Sequence, residues 1–208
     1  MVTREQRQNE EGEGKREEGK PNLAGVGSRR VSRRYDADLH DELLALAARP
    51  DSLAARERLW DILDDHECWP GRSLVGDDGA EAAWLVAQRA IDDVGLQRRA
   101  LEYLEWAVDL DDADPVHFAY LHDRVRMNDG REQLYGSQFV LDDRGEVVPW
   151  HLDDPVAVDE RRRRLGLPPL AEHALDMTRQ WAEHRPDATS EGATPEGVTP
   201  EGVTPEDD

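Results

Sequence analysis

Ala80-Glu81-Ala82-Ala83-Trp84-Leu85-Val86-Ala87-Gln88-Arg89-Ala90-Ile91 is the stretch on which the fold turns. Ala80, Ala83, Trp84, Ala87 and Ile91 recur at alternating three- and four-residue steps, the repeat of a single apolar face on an α-helix. The same repeat continues outward. Upstream, Leu39, Leu43, Leu44 and Ala47 form one stripe, and Ala55, Leu59, Ile62 and Leu63 form the next. Pro50 and Asp51 are expected to end the first helix and cap the second, and Trp69-Pro70-Gly71 to break the second. Ser73 to Gly79 reads as a loop. Downstream, Gln97, Leu101, Leu104 and Val108 line a fourth helix. Asp114-Pro115 is an N-cap followed by a proline at the first helical position. It opens a fifth helix, through about Met127, on Phe118, Leu121 and Val125, and Gly130 closes it.

The period then changes. Gln133 to Leu141 and Glu146 to Trp150 read as two strands around Asp142-Asp143-Arg144-Gly145, with the glycine at the left-handed position of a hairpin turn and Pro149 marking an edge. Asp153-Asp154-Pro155 starts a short helix that ends at Gly166. Pro168-Pro169 separates it from a last helix on Leu170, Ala174, Met177 and Trp181. The expected fold is mainly α: a bundle of six to seven helices with one small β-hairpin inserted late.

Composition bounds this bundle. The chain has 208 residues, 38% hydrophobic and 35% charged, with a mean hydropathy of -0.82. All six tryptophans and both phenylalanines lie between the two ends. Residues 1–34 hold almost no large apolar side chain and include a Glu/Gly/Lys/Arg run; they are expected to be a disordered N-terminal tail. Residues 187–208 carry Glu-Gly-Ala/Val-Thr-Pro three times over. Proline and glycine in each copy forbid a helix, so this is expected to be a disordered acidic tail. Its Thr-Pro pairs are conceivable phosphorylation sites, with plain solubilisation the simpler reading. Residues 35–186 remain as a single helical domain, long enough to bury its own core.

The charge excludes some partners. Lys and Arg number 26 and Asp and Glu 47, a formal net charge of -21. Both lysines lie in the N-terminal tail, so the bases of the domain are all arginine. A strongly acidic domain does not present the basic face that a phosphate backbone requires, so no nucleic acid is expected. No apolar run approaches the roughly 18 residues of a membrane span, and no signal-peptide core opens the chain. A cytoplasmic protein without a membrane partner is expected. Cys68, the only cysteine, excludes an intrachain disulfide. Oligomeric state is not specified by any of this.

Signatures of catalysis and cofactor binding are absent: no phosphate-binding loop, no dinucleotide G-x-G-x-x-G, no H-E-x-x-H and no G-x-S-x-G. No cofactor is expected. Asp64-Asp65-His66-Glu67-Cys68 is rich in donor types but lacks the spacing of a metal site, and His117 and His122, five residues apart on a helix, diverge by about 140°. No metal is expected, and Cys68 reads as an ordinary small thiol. The more informative residues are polar groups set among apolar ones: Gln88 beside the third-helix stripe, Asp123 and Arg124 within the fifth, and Gln133, Tyr135 and Gln138 around Gly136. Strand alternation places Gln133 and Tyr135 on one face and Gln138 on the other. Two readings follow. In one the group is a pocket, with Asp123 as acid, base or acceptor, Arg124 as an anion clamp and the amides and Tyr135 as orienting groups. In the other it is a structural network in which Arg124 pairs with Asp123 and ties its helix to the hairpin. The second makes Arg124→Ala destabilising. Arg161 to Arg164 reads as a solvated face.

At these residues the chain resembles a bacterial family of uncharacterised domains. The resemblance rests on Trp69-Pro70, Leu74-Val75-Gly76, Ala82-Ala83-Trp84-Leu85 with Gln88, Leu121 with Asp123-Arg124-Val125, Gln133-Leu134-Tyr135-Gly136-Ser137-Gln138, and Asp159-Glu160-Arg161-Arg162 with Leu165-Gly166-Leu167. It covers most of Asp38 to Ala174. It implies a helical fold and no established activity. The family pattern has Gly where Cys68 stands, His where Arg89 stands and Thr where Ser137 stands. The functional expectation is a non-enzymatic binding or adaptor domain for a basic protein partner; the alternative is a small hydrolase or transferase built on Asp123, Arg124 and Tyr135.

Overall fold

Four of the seven described helices begin where a short side chain takes up an amide proton left free by the first turn. In the computed structural model, which describes residues 34–184, Asp36 accepts from the Leu39 amide at 3.0 Å and opens α1 (Ala37–Ala47). Ser52, not the expected Asp51, opens α2 (Leu53–His66), accepting from the Ala55 amide. Asp93 opens α4 (Val94–Asp109) and also receives the Trp60 indole N–H at 2.9 Å. Asp114 and Pro115 open α5 (Pro115–Asn128) as expected. Expectations for the two tails fall on residues outside the described ones.

Helix α3 (Arg72–Arg89) starts earlier than its pattern indicates. The stretch from Ser73 to Gly79, expected to be a loop, is one helical turn, a kink at Gly76 (φ 78°), and the start of the long segment. The cap comes from far away. Asp112 accepts from the Ser73 amide at 2.7 Å and from the Ser73 hydroxyl at 3.0 Å, across 39 residues. Gly71 stands where any Cβ would collide with Asp112, whose carbonyl oxygen lies at 2.6 Å from that position. The far end stops sooner, since α3 finishes at Arg89 and Ile91 lies beyond it, exposed.

The apolar stripes meet around α3, which packs on α1, α2, α4 and α5. Leu43, Leu59, Leu63, Val75, Ala83, Val86, Ala87, Leu96, Leu104 and Leu121 are fully buried there. At about 1.5–3 kcal/mol per large aliphatic side chain removed from water, this cluster is the main source of stability.

The remainder is built differently. The strands are short: β1 (Phe139–Leu141) and β2 (Val147–Pro149) pair antiparallel, Phe139 opposite Pro149 and Leu141 opposite Val147. Asp142 closes the turn by accepting from the Arg144 and Glu146 amides, and Gly145 takes the left-handed conformation (φ 76°). Residues 133–138 make no strand; a single bridge joins Gln133 to Leu152. Helix α6 (Val158–Arg164) is short. Helix α7 (Leu170–Glu183) packs on β2 and α6, and none of its residues is buried.

Candidate functional site

Asp123 explains why residues 133–138 are not a strand. It sits on the inner face of α5, fully buried, and its carboxylate accepts from four donors. The Leu134 amide donates at 2.7 Å, the Tyr135 amide at 3.2 and 3.1 Å to the two oxygens, and the Ser137 amide and hydroxyl at 3.1 and 3.0 Å. Amides that would have joined a sheet ladder curl instead around one carboxylate. Gly136 makes the bend, at φ 65°.

The glutamines fasten the same loop, on one side rather than two. Gln133 Nε2 donates to the Gln138 carbonyl at 3.0 Å and to the Trp150 carbonyl at 2.9 Å, while Gln133 Oε1 accepts from the Gln138 amide at 2.8 Å. Gln138 Nε2 donates to the Ser137 hydroxyl at 2.8 Å and to the Tyr120 carbonyl at 3.2 Å. The alternation expected of a strand, with Gln138 facing away from Gln133, is replaced by this clasp because the intervening backbone is a turn.

Carbonyl groups of the loop are taken by arginines that the sequence reading placed on a solvated face. Arg162 is fully buried. Its Nε donates to the Pro168 carbonyl at 2.7 Å and one terminal nitrogen to the Tyr135 carbonyl at 2.7 Å. Arg161 donates to the Leu134 carbonyl at 2.6 Å and to the Asp153 carbonyl at 2.6 Å. Burial lowers the pKa of the Arg162 guanidinium. Only Arg163 and Arg164 behave as a surface pair, both on Glu160. A run of four arginines carries one obvious signal, charge. What separates Arg161 and Arg162 from their neighbours is the direction in which α6 meets the loop.

Arg124 does not join this network. No hydrogen bond or ion pair among the described residues links it to Asp123, so the expected Asp123–Arg124 pair is not formed. Adjacent residues on a helix diverge by about 100°, and the two side chains leave α5 on different sides. Arg124 lies on the side that faces α3. There the Trp84 indole stacks on the His117 ring at 4.3 Å and 9°, donates its N–H to the His117 carbonyl at 3.0 Å, and meets Tyr120 edge-on. Tyr120 continues to His173 of α7, its hydroxyl 3.5 Å from Nε2. Burial pushes the Tyr120 hydroxyl pKa up and those of His117 and His173 down. Gln88 is buried, and its Oε1 has no hydrogen-bond partner among the described residues.

Six residues were singled out from the sequence. The structure gathers four of them, Asp123, Gln133, Tyr135 and Gln138, into one hub and leaves Gln88 and Arg124 outside it. Arg161, Arg162 and Ser137 belong to the hub and were missed. The hub can hold a loop in one shape, but it has little scope for chemistry: the Ser137 hydroxyl already donates to Asp123 and accepts from Gln138. Among the described residues no three His, Cys, Asp or Glu side chains converge into a metal-binding group, and no helix is long and apolar enough to cross a membrane.

A second feature is electrostatic. The starts of α1 and α3 meet the α4–α5 connection at one end of the bundle, where the Asp36 amide donates to the Leu74 carbonyl and the Arg72 amide to the Asp112 carbonyl. Asp41, Asp77, Asp78 and Asp111 stand out from this end at 81, 89, 68 and 100% side-chain exposure. Arg72 is shared between Asp77 and Asp111. Leu110 is 79% exposed among them.

No curated protein and no solved structure matches the chain significantly. A family model does, over residues 34–180, the span that holds the helical core, the Asp123 hub and the acidic end. The chain belongs to that family, a family of unknown function (DUF6624).

Proposed function

We propose that the domain is a non-enzymatic binding module whose acidic end receives a basic protein partner. The observation that carries this reading is the group of exposed carboxylates, Asp41 and Asp78 on His40 and Asp77 and Asp111 on Arg72, with the exposed Leu110 next to Asp111. Such a surface attracts cationic segments at long range, and Leu110 adds a small apolar contact. A small hydrolase or transferase built on Asp123, Arg124 and Tyr135 draws less support. The Asp123 carboxylate is fully buried and committed to four donors, and Arg124 lies on another face of α5.

The test uses a fluorescent Arg- and Lys-rich helical peptide as probe. Its binding is followed by anisotropy at about 0.05 and about 0.5 M salt, concentrations that span the Debye length of roughly 10 Å at 0.1 M. Asp41→Asn, Asp77→Asn and Asp111→Asn together are expected to abolish binding. Glu57→Gln, Glu102→Gln and Glu105→Gln, the same charge change on other faces, are expected to leave most of it. Equal losses in the two triple variants would reduce the effect to net charge and defeat the proposal.

A further inference from the structure

Gln88 and Arg124 fall outside the Asp123 hub, and neither has a settled structural role. Helices α3 and α5 pack against each other, and the aromatic contacts fix their register. Trp84 faces His117 and Tyr120. One turn further along α3 stands Gln88; one turn beyond Tyr120 along α5 stands Arg124. Two buried atoms here are orphaned, Gln88 Oε1 and Arg124 Nε. Gln88 is nine-tenths buried, and an acceptor left without a donor in such a place costs free energy that folding alone does not return.

The charges at this place are equally one-sided. Arg124 is partly buried and has no carboxylate partner among the described residues, in a domain where acids outnumber arginines two to one. The other charge that acts on it is Arg89, the exposed last residue of α3, which, with burial, lowers the Arg124 pKa. Arg89 has no ion-pair partner among the described residues either. Arg56 and Arg99 also have an orphaned Nε, but each keeps an ion pair, to Asp92 and to Asp64. Two guanidiniums that act on one another, neither with a counterion among the described residues, thus stand with an unfilled acceptor on the packed sides of α3 and α5.

We infer that Gln88, Arg89 and Arg124 form a binding site for the phosphate group of a small molecule. The ligand's chemistry follows from the orphaned atoms. The guanidiniums supply donors to an oxyanion. Gln88 Oε1 needs a donor in return, so the ligand must carry a hydroxyl beside its charge. The dianion of inorganic phosphate keeps one P–OH and meets both demands; a monoester, mostly doubly ionised at about pH 7, meets them only through a donor elsewhere in its molecule. Sulfate, fully ionised near neutral pH, meets only the first. Repulsion from the acidic remainder of the chain works against any anion, so binding depends on these local contacts rather than on long-range attraction.

Thermal unfolding of the full chain, titrated with inorganic phosphate or O-phosphoserine at constant ionic strength set with NaCl, tests this. Binding to the native state raises the melting temperature with ligand concentration. Phosphate is expected to give a saturable rise, and sulfate at least about tenfold weaker stabilisation, the scale of one lost charge-assisted hydrogen bond. A larger response to O-phosphoserine identifies a monoester as the ligand, and an equal one the free ion. Arg89→Gln changes an exposed side chain and leaves the fold intact; it and Arg124→Gln should each weaken phosphate binding about tenfold or more. Gln88→Leu should erase the preference over sulfate. No rise beyond the NaCl control, equal rises with sulfate and phosphate, or full binding by Arg89→Gln would each overturn the inference.

Discussion

The two halves of the domain are held by opposite kinds of interaction. From α1 to α4 nearly everything buried is aliphatic or aromatic, with Gln88 and Gln97 as the exceptions. From residue 129 to 184 the buried residues are Gln133, Gly136, Ser137, Gln138, Arg162 and a single large apolar one, Val158. The first half is stabilised by surface removed from water, which is non-directional and tolerates adjustment. The second is stabilised by a directional network around one carboxylate, in which the loss of one member leaves several others unsatisfied. The contrast shows how a region with few buried apolar residues can still hold one conformation: its backbone donors and acceptors are bound one by one by side chains.

The largest expected effect is in the polar half. Asp123→Ala strands three backbone amides and the Ser137 hydroxyl and removes a negative charge that acts on the buried Arg162, and is expected to cost about 3–5 kcal/mol, as when one member of a buried charged network is removed. In a domain of ordinary stability, about 5–15 kcal/mol, that is a large share. Denaturant unfolding followed by far-UV circular dichroism measures it, and a loss under about 1 kcal/mol would remove Asp123 from the centre of the comparison. Leu63→Ala, fully buried in the apolar half, should cost a comparable amount of about 2–5 kcal/mol through lost transfer energy and a cavity. The two can be told apart by hydrogen exchange. Asp123→Ala should first release the amides of residues 134–137, whereas Leu63→Ala should raise exchange throughout α2 and α3.

A smaller change sharpens the contrast at the bend. Gly136→Ala forces a non-glycine residue to φ 65° and brings its Cβ to 2.7 Å from Leu170 Cδ1 and 3.4 Å from Leu152 Cδ2. Left-handed strain and the clash together should cost about 1–3 kcal/mol, read as a lower urea midpoint. Ser52→Ala removes an ordinary cap in the apolar half and should cost about 1 kcal/mol by the same measurement. Should the cap matter more than the glycine, the polar half would be less constrained than its hydrogen bonds imply.

The smallest effect is one of pH and belongs to the acidic end. Hydrogen bonds donated by the protonated His40 ring to Asp41 and then to Asp78 raise its pKa above the ordinary 6.5. A histidine with a raised folded pKa stabilises fully below the unfolded value of 6.5, and the contribution is lost as pH rises through the folded value. Burial lowers the pKa of His117, which acts in the opposite direction: stability is lost as pH falls below 6.5. Comparing the parent with His40→Gln isolates the first effect. Between about pH 6 and about pH 8 the parent should lose its melting-temperature advantage over the variant. An advantage constant across that window would mean that His40 is not held as a cation.

Much of the fold was legible in the sequence because apolar burial writes itself as a period. Ala80, Ala83, Trp84 and Ala87 mark α3, and Leu59 and Leu63 mark α2, since a stripe that must face the core can recur only at helical spacing. Asp114-Pro115 and the Asp142–Gly145 turn were legible too, as both act on backbone within a few residues. The polar groups were legible only as exceptions to the pattern, which is how Asp123, Gln133, Tyr135 and Gln138 stood out. Their partners were not, because a hydrogen bond between distant residues leaves no periodic trace.

Sequence alone therefore determined the helical stripes, the caps made by neighbours, the late hairpin and the acidic balance, all of which depend on interactions a few residues long or on simple composition. Tertiary structure decided that Asp112 caps α3 from 39 residues away. It also decided that residues 133–138 wrap a carboxylate instead of forming a strand, that Arg161 and Arg162 turn inward while Arg163 and Arg164 do not, and that Arg124 faces α3 rather than Asp123. In each case the choice lay among conformations of similar local energy, and it was made by a donor or acceptor that only folding brings within about 3 Å.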